Sequence, residues 1–96
     1  MIARALSCNW VQIEVLEDVW QQSLSIHPDL LLEDIVDTIA SPDDLWGGKD
    51  GKIYAVKHLA EHRWLIVCYT EAEETGHFIK AIISEKPKIP EMKTQL

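Results

Sequence analysis

The sequence predicts an α+β domain in which two N-terminal helices cover one face of an antiparallel meander of strands. Three observations carry that expectation. Apolar residues recur at helical spacing from Leu16 to Ile39. From Lys52 onward they come in short runs, rich in branched and aromatic residues and bounded by turns. A chain of 96 residues with 47% hydrophobic content and four tryptophans holds one core and hardly a second. A domain of this size buries roughly 60–65% of its unfolded surface.

Taken in order, Val11, Ile13 and Val15 alternate with Gln12 and Glu14, the period-two pattern of a half-buried strand. At Leu16 the period changes. Leu16, Val19, Trp20 and Leu24 form one helical stripe, and Glu17 and Asp18 suit the positive end of the helix dipole. Pro28 disfavours helical geometry at His27, which marks a break. Pro28 and Asp29 suit the first turn of a second helix. In that helix Leu31, Ile35 and Ile39, with Leu32 and Val36, form the buried face, and Glu33, Asp34 and Asp37 the wet one. Ser41-Pro42-Asp43-Asp44 ends it, and Gly47 to Gly51 reads as a mobile turn.

Strands are expected over Lys52–His58, Arg63–Thr70 and His77–Ser84, with a hairpin near Ala60-Glu61 and a charged loop over Glu71–Gly76. Residues 11–85 then make the folded core of a single domain, and 86–96, with two prolines and mixed charge, a weakly ordered tail.

Charge narrows the function classes. The net charge is −7, and residues 1–48 hold nine carboxylates against one cation, Arg4, whereas 49–96 hold seven against eight. A general nucleic-acid binder carries a basic footprint that the whole chain lacks, so RNA would have to meet the C-terminal half. The acidic half suits a basic partner protein. No apolar run reaches the roughly 18–20 residues needed to cross a bilayer, and the N-terminus lacks a signal-peptide core, so a cytoplasmic location with no membrane partner is expected. Cys8 and Cys68 form no CxxC pair, and reduced thiols follow from that compartment.

Four histidines offer chemistry. His58 and His62 have HxxxH spacing, but they straddle a hairpin and lack the HExxH glutamate, so no metal or cofactor is expected. His27 sits between helices, where an imidazole, with an ordinary pKa of about 6.5, can exchange a proton at neutral pH or simply cap a helix. Lys80 interrupts the apolar strand FIKAII on the face shared with Phe78 and Ile82, as an edge-strand gatekeeper or as a cation for phosphate. Lys57, Arg63 and His62 form the chain's basic cluster, and Tyr54, Trp64 and Tyr69 either stack on bases or pack the core.

The pieces VQIEVLEDVW, HPDL at 27–30, SPDDLW at 41–46, IYAVKH, WLIVCYT and FIKAI at 78–82 follow one another in an order that resembles the phage- and mobile-element branch of the barnase, EndoU, colicin and RelE-like nuclease superfamily. The likeness spans about residues 11–84. It implies a RelE- or barnase-like fold, two N-terminal helices packed on a curved antiparallel sheet of three to four strands. It also implies metal-independent RNA cleavage by a toxin-type endoribonuclease, with an antitoxin or a second copy as partner. On this chain His27 would be the general base or acid, Lys80 would take the threonine position of the terminal segment, and Lys57, Arg63 and His62 would supply phosphate charge or a second proton. The chain departs from the pattern at Ile26, where an arginine often precedes the histidine, and at Lys80 and Ile82, which replace a threonine and a tyrosine. These departures leave a different function open, a non-catalytic protein-binding or dimerisation module that has lost the nuclease site.

Overall fold

The computed structural model describes residues 2–7, 9–48, 51–71 and 75–85, and the backbone of 94–95. In chain order the elements are β1 (Ala3–Leu6), β2 (Gln12–Val15), α1 (Glu17–Ile26), α2 (Leu32–Ala40), β3 (Asp44–Gly47), β4 (Lys52–Ala60), β5 (Arg63–Glu71), β6 (Thr75–Ser84) and β7 (Thr94–Gln95). All the strands join one sheet in the order β1-β2-β6-β5-β4-β3-β7.

This sheet overturns the expected three to four antiparallel strands. Six strands have four or more residues and a seventh has two. The sheet is mixed, because β2 runs parallel to β6, pairing Gln12–Glu14 with Thr75–His77. Both helices lie in the connection between β2 and the meander β3-β4-β5-β6, as a parallel pairing requires a long crossover. The strands missed in the sequence are β1, β3 and the two-residue β7, which lies in the expected tail and pairs with Trp46 and Gly47 of β3. In β1 the inward positions are Ala3 and Ala5, too small to register as an apolar pattern, and DLWG of β3 reads locally as a stop. Each is specified by its neighbour instead, β1 by antiparallel pairing with β2 and β3 by pairing Asp44–Gly47 with Val56–Ile53. Thr75 and Gly76 belong to β6 rather than to a loop, and Gly47 to β3. Of the expected tail, residues 86–93 and 96 lie outside the described residues, as do Lys49 and Asp50 of the expected mobile turn and Cys8 of the expected thiols.

Two of the hairpins reverse through non-glycine residues with positive φ. Trp10 (φ 66) donates its backbone N–H to the Ser7 carbonyl at 2.9 Å and closes the β1–β2 turn. His62 (φ 58) turns β4 into β5, in a backbone region that histidine enters more readily than branched residues do.

The helices cover one face of the sheet. Trp20, Leu30, Ile35 and Ile39 pack there with Ile13, Val15, Leu65, Val67, Tyr69 and Phe78, all buried. The Ala81 amide donates to the buried Ser23 hydroxyl at 3.4 Å, which ties α1 to β6. On the opposite, helix-free face Tyr54, Val56, Ile66 and Cys68 are buried among Trp46, Trp64, Ile79 and Ile82. Tyr69 is thus a core residue and offers no stacking surface.

Two local expectations are corrected. The helix α2 begins at Leu32, and Pro28 and Asp29 form a turn before it, closed by the Leu30 N–H on the His27 carbonyl at 3.1 Å. That turn rotates the chain so that Leu30, 5% exposed, enters the core, while Leu31 is 52% exposed. In β6 a bulge sets Lys80 opposite Cys68 but Phe78 opposite Tyr69. The extra residue, Ile79, joins the helix-free cluster, and Phe78 joins the helix-side core.

Candidate functional site

The corner between α1 and α2 is the best-organised polar site on the helix side. Pro28 stops α1, and the last helical bond runs from the His27 N–H to the Ser23 carbonyl at 2.9 Å. The half-buried His27 ring reaches β6, where its Nε2 accepts the Ile83 N–H in a long bond of 3.5 Å. Two residues on, the Asp29 carboxylate takes a hydrogen bond and ion pair from the Arg63 guanidinium at the start of β5. That bond from Arg63, above all, holds the Asp29 carboxyl below its ordinary range, helped by an Asp29 backbone hydrogen bond and by the charges of Arg63 and His27. The structure therefore brings His27 and Arg63 together through Asp29, a residue the sequence reading placed only as a helix start. The turn dipeptide Pro28-Asp29 was its one local signal.

Lys57 is on the same side of the sheet but has other work. It shares a cross-strand row with Leu65 and Ile83, two strand spacings, or roughly 10 Å, from Ile83. Its Nζ lies 3.5 Å from Asp37 Oδ2 and donates to the Ser41 carbonyl at 3.3 Å. The last turn of α2 has no basic residue of its own, and Lys57 supplies the cation that the helix C-terminus favours. His62 stands out on the β4–β5 turn, 3.7 Å from Glu61, with both side chains exposed.

Lys80 is elsewhere. Its register partner Cys68 belongs to the helix-free cluster, and directly opposed residues share a face. The sheet therefore stands between Lys80 and His27, and the five expected site residues do not converge. Among the described residues β2 pairs with β6 only at Thr75–His77, so Lys80 lies on a part of β6 bordered by a strand on the β5 side alone, where an edge-strand lysine fits.

The zinc alternative loses its geometry as well. His58 stacks on Trp64 on the helix-free face, with ring centroids 4.7 Å apart and planes at 19°, while His62 occupies the turn. Among the described residues no three His, Cys, Asp or Glu side chains gather as a metal ligand set.

Two further polar constellations had no signal in the sequence, because their partners are far apart along the chain. Ser7 Oγ donates to Glu71 Oε2 and accepts the Asn9 and Val11 amides at 3.3 and 3.2 Å, and Asn9 Nδ2 donates to Glu71 Oε1 at 3.0 Å. This clamp holds the N-terminal hairpin against β5. Glu14 on β2 lies 3.9 Å from Arg4 and 3.8 Å from His77, a polar bridge across β1, β2 and β6 on the helix-free face.

No helix among the described residues is long and apolar enough to cross a membrane. No protein-family model, curated protein or solved structure matches the chain.

Proposed function

We propose that this domain is a non-catalytic protein-binding module whose acidic helix layer docks a basic partner. The observation that carries the reading is charge on the helix side. No lysine or arginine occurs between Arg4 and Lys49, and the two cations that approach the helices from the sheet, Lys57 and Arg63, are each held by an acid of that layer, Asp37 and Asp29. Glu17, Asp18 and Glu33 remain exposed on it. Such a field speeds and orients encounter with a basic surface, and salt weakens it.

The ribonuclease reading has less to support it. General acid–base cleavage needs a base, an acid and a phosphate cation within reach of one phosphodiester. His27 and Lys80 lie across the sheet from each other, and the nearer cations are engaged internally. One observation still favours it, the meeting of His27 and Arg63 at Asp29.

Two measurements decide between them. Incubated with RNA at high protein concentration and without added metal, the folded protein leaves the RNA intact; cleavage that disappears in His27→Ala would overturn the binding reading. Fluorescence anisotropy with a labelled amphipathic Lys/Leu peptide shows binding that falls as salt rises and is lost in the Glu33→Lys/Asp34→Lys variant. A Gln12→Lys change on β2, exposed on the helix-free face, leaves it in place.

A further inference from the structure

We infer that Ile26 and Leu31, on either side of the corner turn, are the apolar anchor of that docking surface, and that its occupant is a basic helix with an apolar ridge. This rests on the protein-binding reading and adds where, and by what, the partner is held.

Ile26 is 69% exposed and Leu31 52% exposed. Single exposed apolar residues are ordinary, but here two branched ones leave the chain at neighbouring points. The turn from His27 to Leu30 brings its ends within about 7 Å, and residues 26 and 31 directly flank it. Helical patterning would bury Leu31, and the turn gives its place in the core to Leu30 instead. The anchor is pre-ordered from three directions, by the Leu30–His27 backbone bond, the His27 Nε2 contact with Ile83 N–H, and the Arg63–Asp29 pair. A rigid anchor loses little conformational freedom when it is covered.

Charge complementarity selects the occupant. Leu32, Glu33 and Asp34 open α2 immediately after Leu31, so the apolar pair has an acidic neighbour, and the cation that reaches the corner, Arg63, is paired with Asp29. Beside the corner the outer edge of β6, past its pairing with β2 at Thr75–His77, is covered by α1 and its cap, because the Ala81 and Ile83 amides donate to Ser23 Oγ and His27 Nε2. A partner must then dock through side chains rather than by adding a strand, and apolar residues at i and i+4 of a helix, about 5–6 Å apart, match a compact anchor.

The test uses the full chain, two peptides of equal positive charge, and anisotropy titrations. One peptide carries a leucine ridge at helical spacing and the other has those leucines replaced by serine. Ile26→Ser and Leu31→Ser change exposed positions, and circular dichroism checks that each variant stays folded. Leu6→Ser, at an exposed apolar position on β1, is the control. The ridged peptide is expected to bind the wild type better than the serine peptide, and each corner variant to lose about tenfold in Kd for it, with Leu6→Ser unchanged. If both corner variants bind like wild type while Glu33→Lys/Asp34→Lys does not, the anchor is wrong and the acidic-layer reading survives. If the wild type binds neither peptide, both fall.

Discussion

The two faces of this sheet are built from the same strands yet have opposite economies. The helix-side face gathers fourteen buried residues into one core drawn from strands, both helices and the turn between them. The helix-free face gathers four, Tyr54, Val56, Ile66 and Cys68, all from β4 and β5. The polar groups differ in the same way. On the helix side, cations and acids from distant elements close on one another, Arg63 on Asp29 and Lys57 on Asp37. On the other face they stay in cross-strand rows, as in Arg4, Glu14 and His77. The lesson is that a strand residue's neighbours follow from register, while its chemical role follows from what covers its face.

The largest expected effect tests the packing difference directly. Leu65 and Ile66 are adjacent on β5, both essentially unexposed, and point to opposite faces. Truncation to alanine removes transfer energy and leaves a cavity. Leu65→Ala is expected to cost about 4 kcal/mol and Ile66→Ala about 2 kcal/mol, within the usual span for such changes. Equal losses in urea unfolding would mean that the smaller cluster is as well packed as the larger.

A second comparison sits where β2 meets β6. A Cβ on Gly76 would run into the Thr70 carbonyl oxygen and approach Ile13 Cδ1 to 2.6 Å. Backbone cannot yield as a flexible side chain does, so Gly76→Ala is expected to cost about 3 kcal/mol. The neighbouring His77, exposed on the helix-free face, should tolerate alanine within about 0.5 kcal/mol. Thermal unfolding of the two variants measures the contrast, and a mild Gly76→Ala would show that the parallel seam can shift.

The smallest effect concerns the corner. Asp29 is depressed in the folded chain, so whatever its pairing contributes is complete above the ordinary carboxylate range near pH 4 and is lost as pH falls through the lowered value. Carboxyl carbon shifts should place the Asp29 midpoint below the ordinary aspartate range, and Arg63→Gln should return it toward that range. A midpoint unmoved by Arg63→Gln would assign the depression to the backbone instead.

Much of this fold could be read locally. The helical stripe of α1, the apolar face Ile35–Ile39 of α2 and the three long strands each have a period or composition that a short window displays. Other features could not be read that way. The alanines of β1 become a strand only beside β2, and the bulge at Ile79 appears only when β6 is laid on β5. The site was less legible than the fold. His27 was found because Pro28 marks it, but Asp29, Asp37 and Glu71 draw their roles from partners 34, 20 and 64 residues away.

The linear chain by itself determined the two helices, the short strand before them, the three long strands after them and the acidic character of its first half, since periodicity and charge are properties of neighbouring residues. Only the tertiary structure decided the mixed seven-stranded pairing, the exposure of Leu31 in place of Leu30, and the separation of Lys80 from His27. Those depend on register and on which face is covered, and a shift of one residue in a strand reverses the side to which every following side chain points.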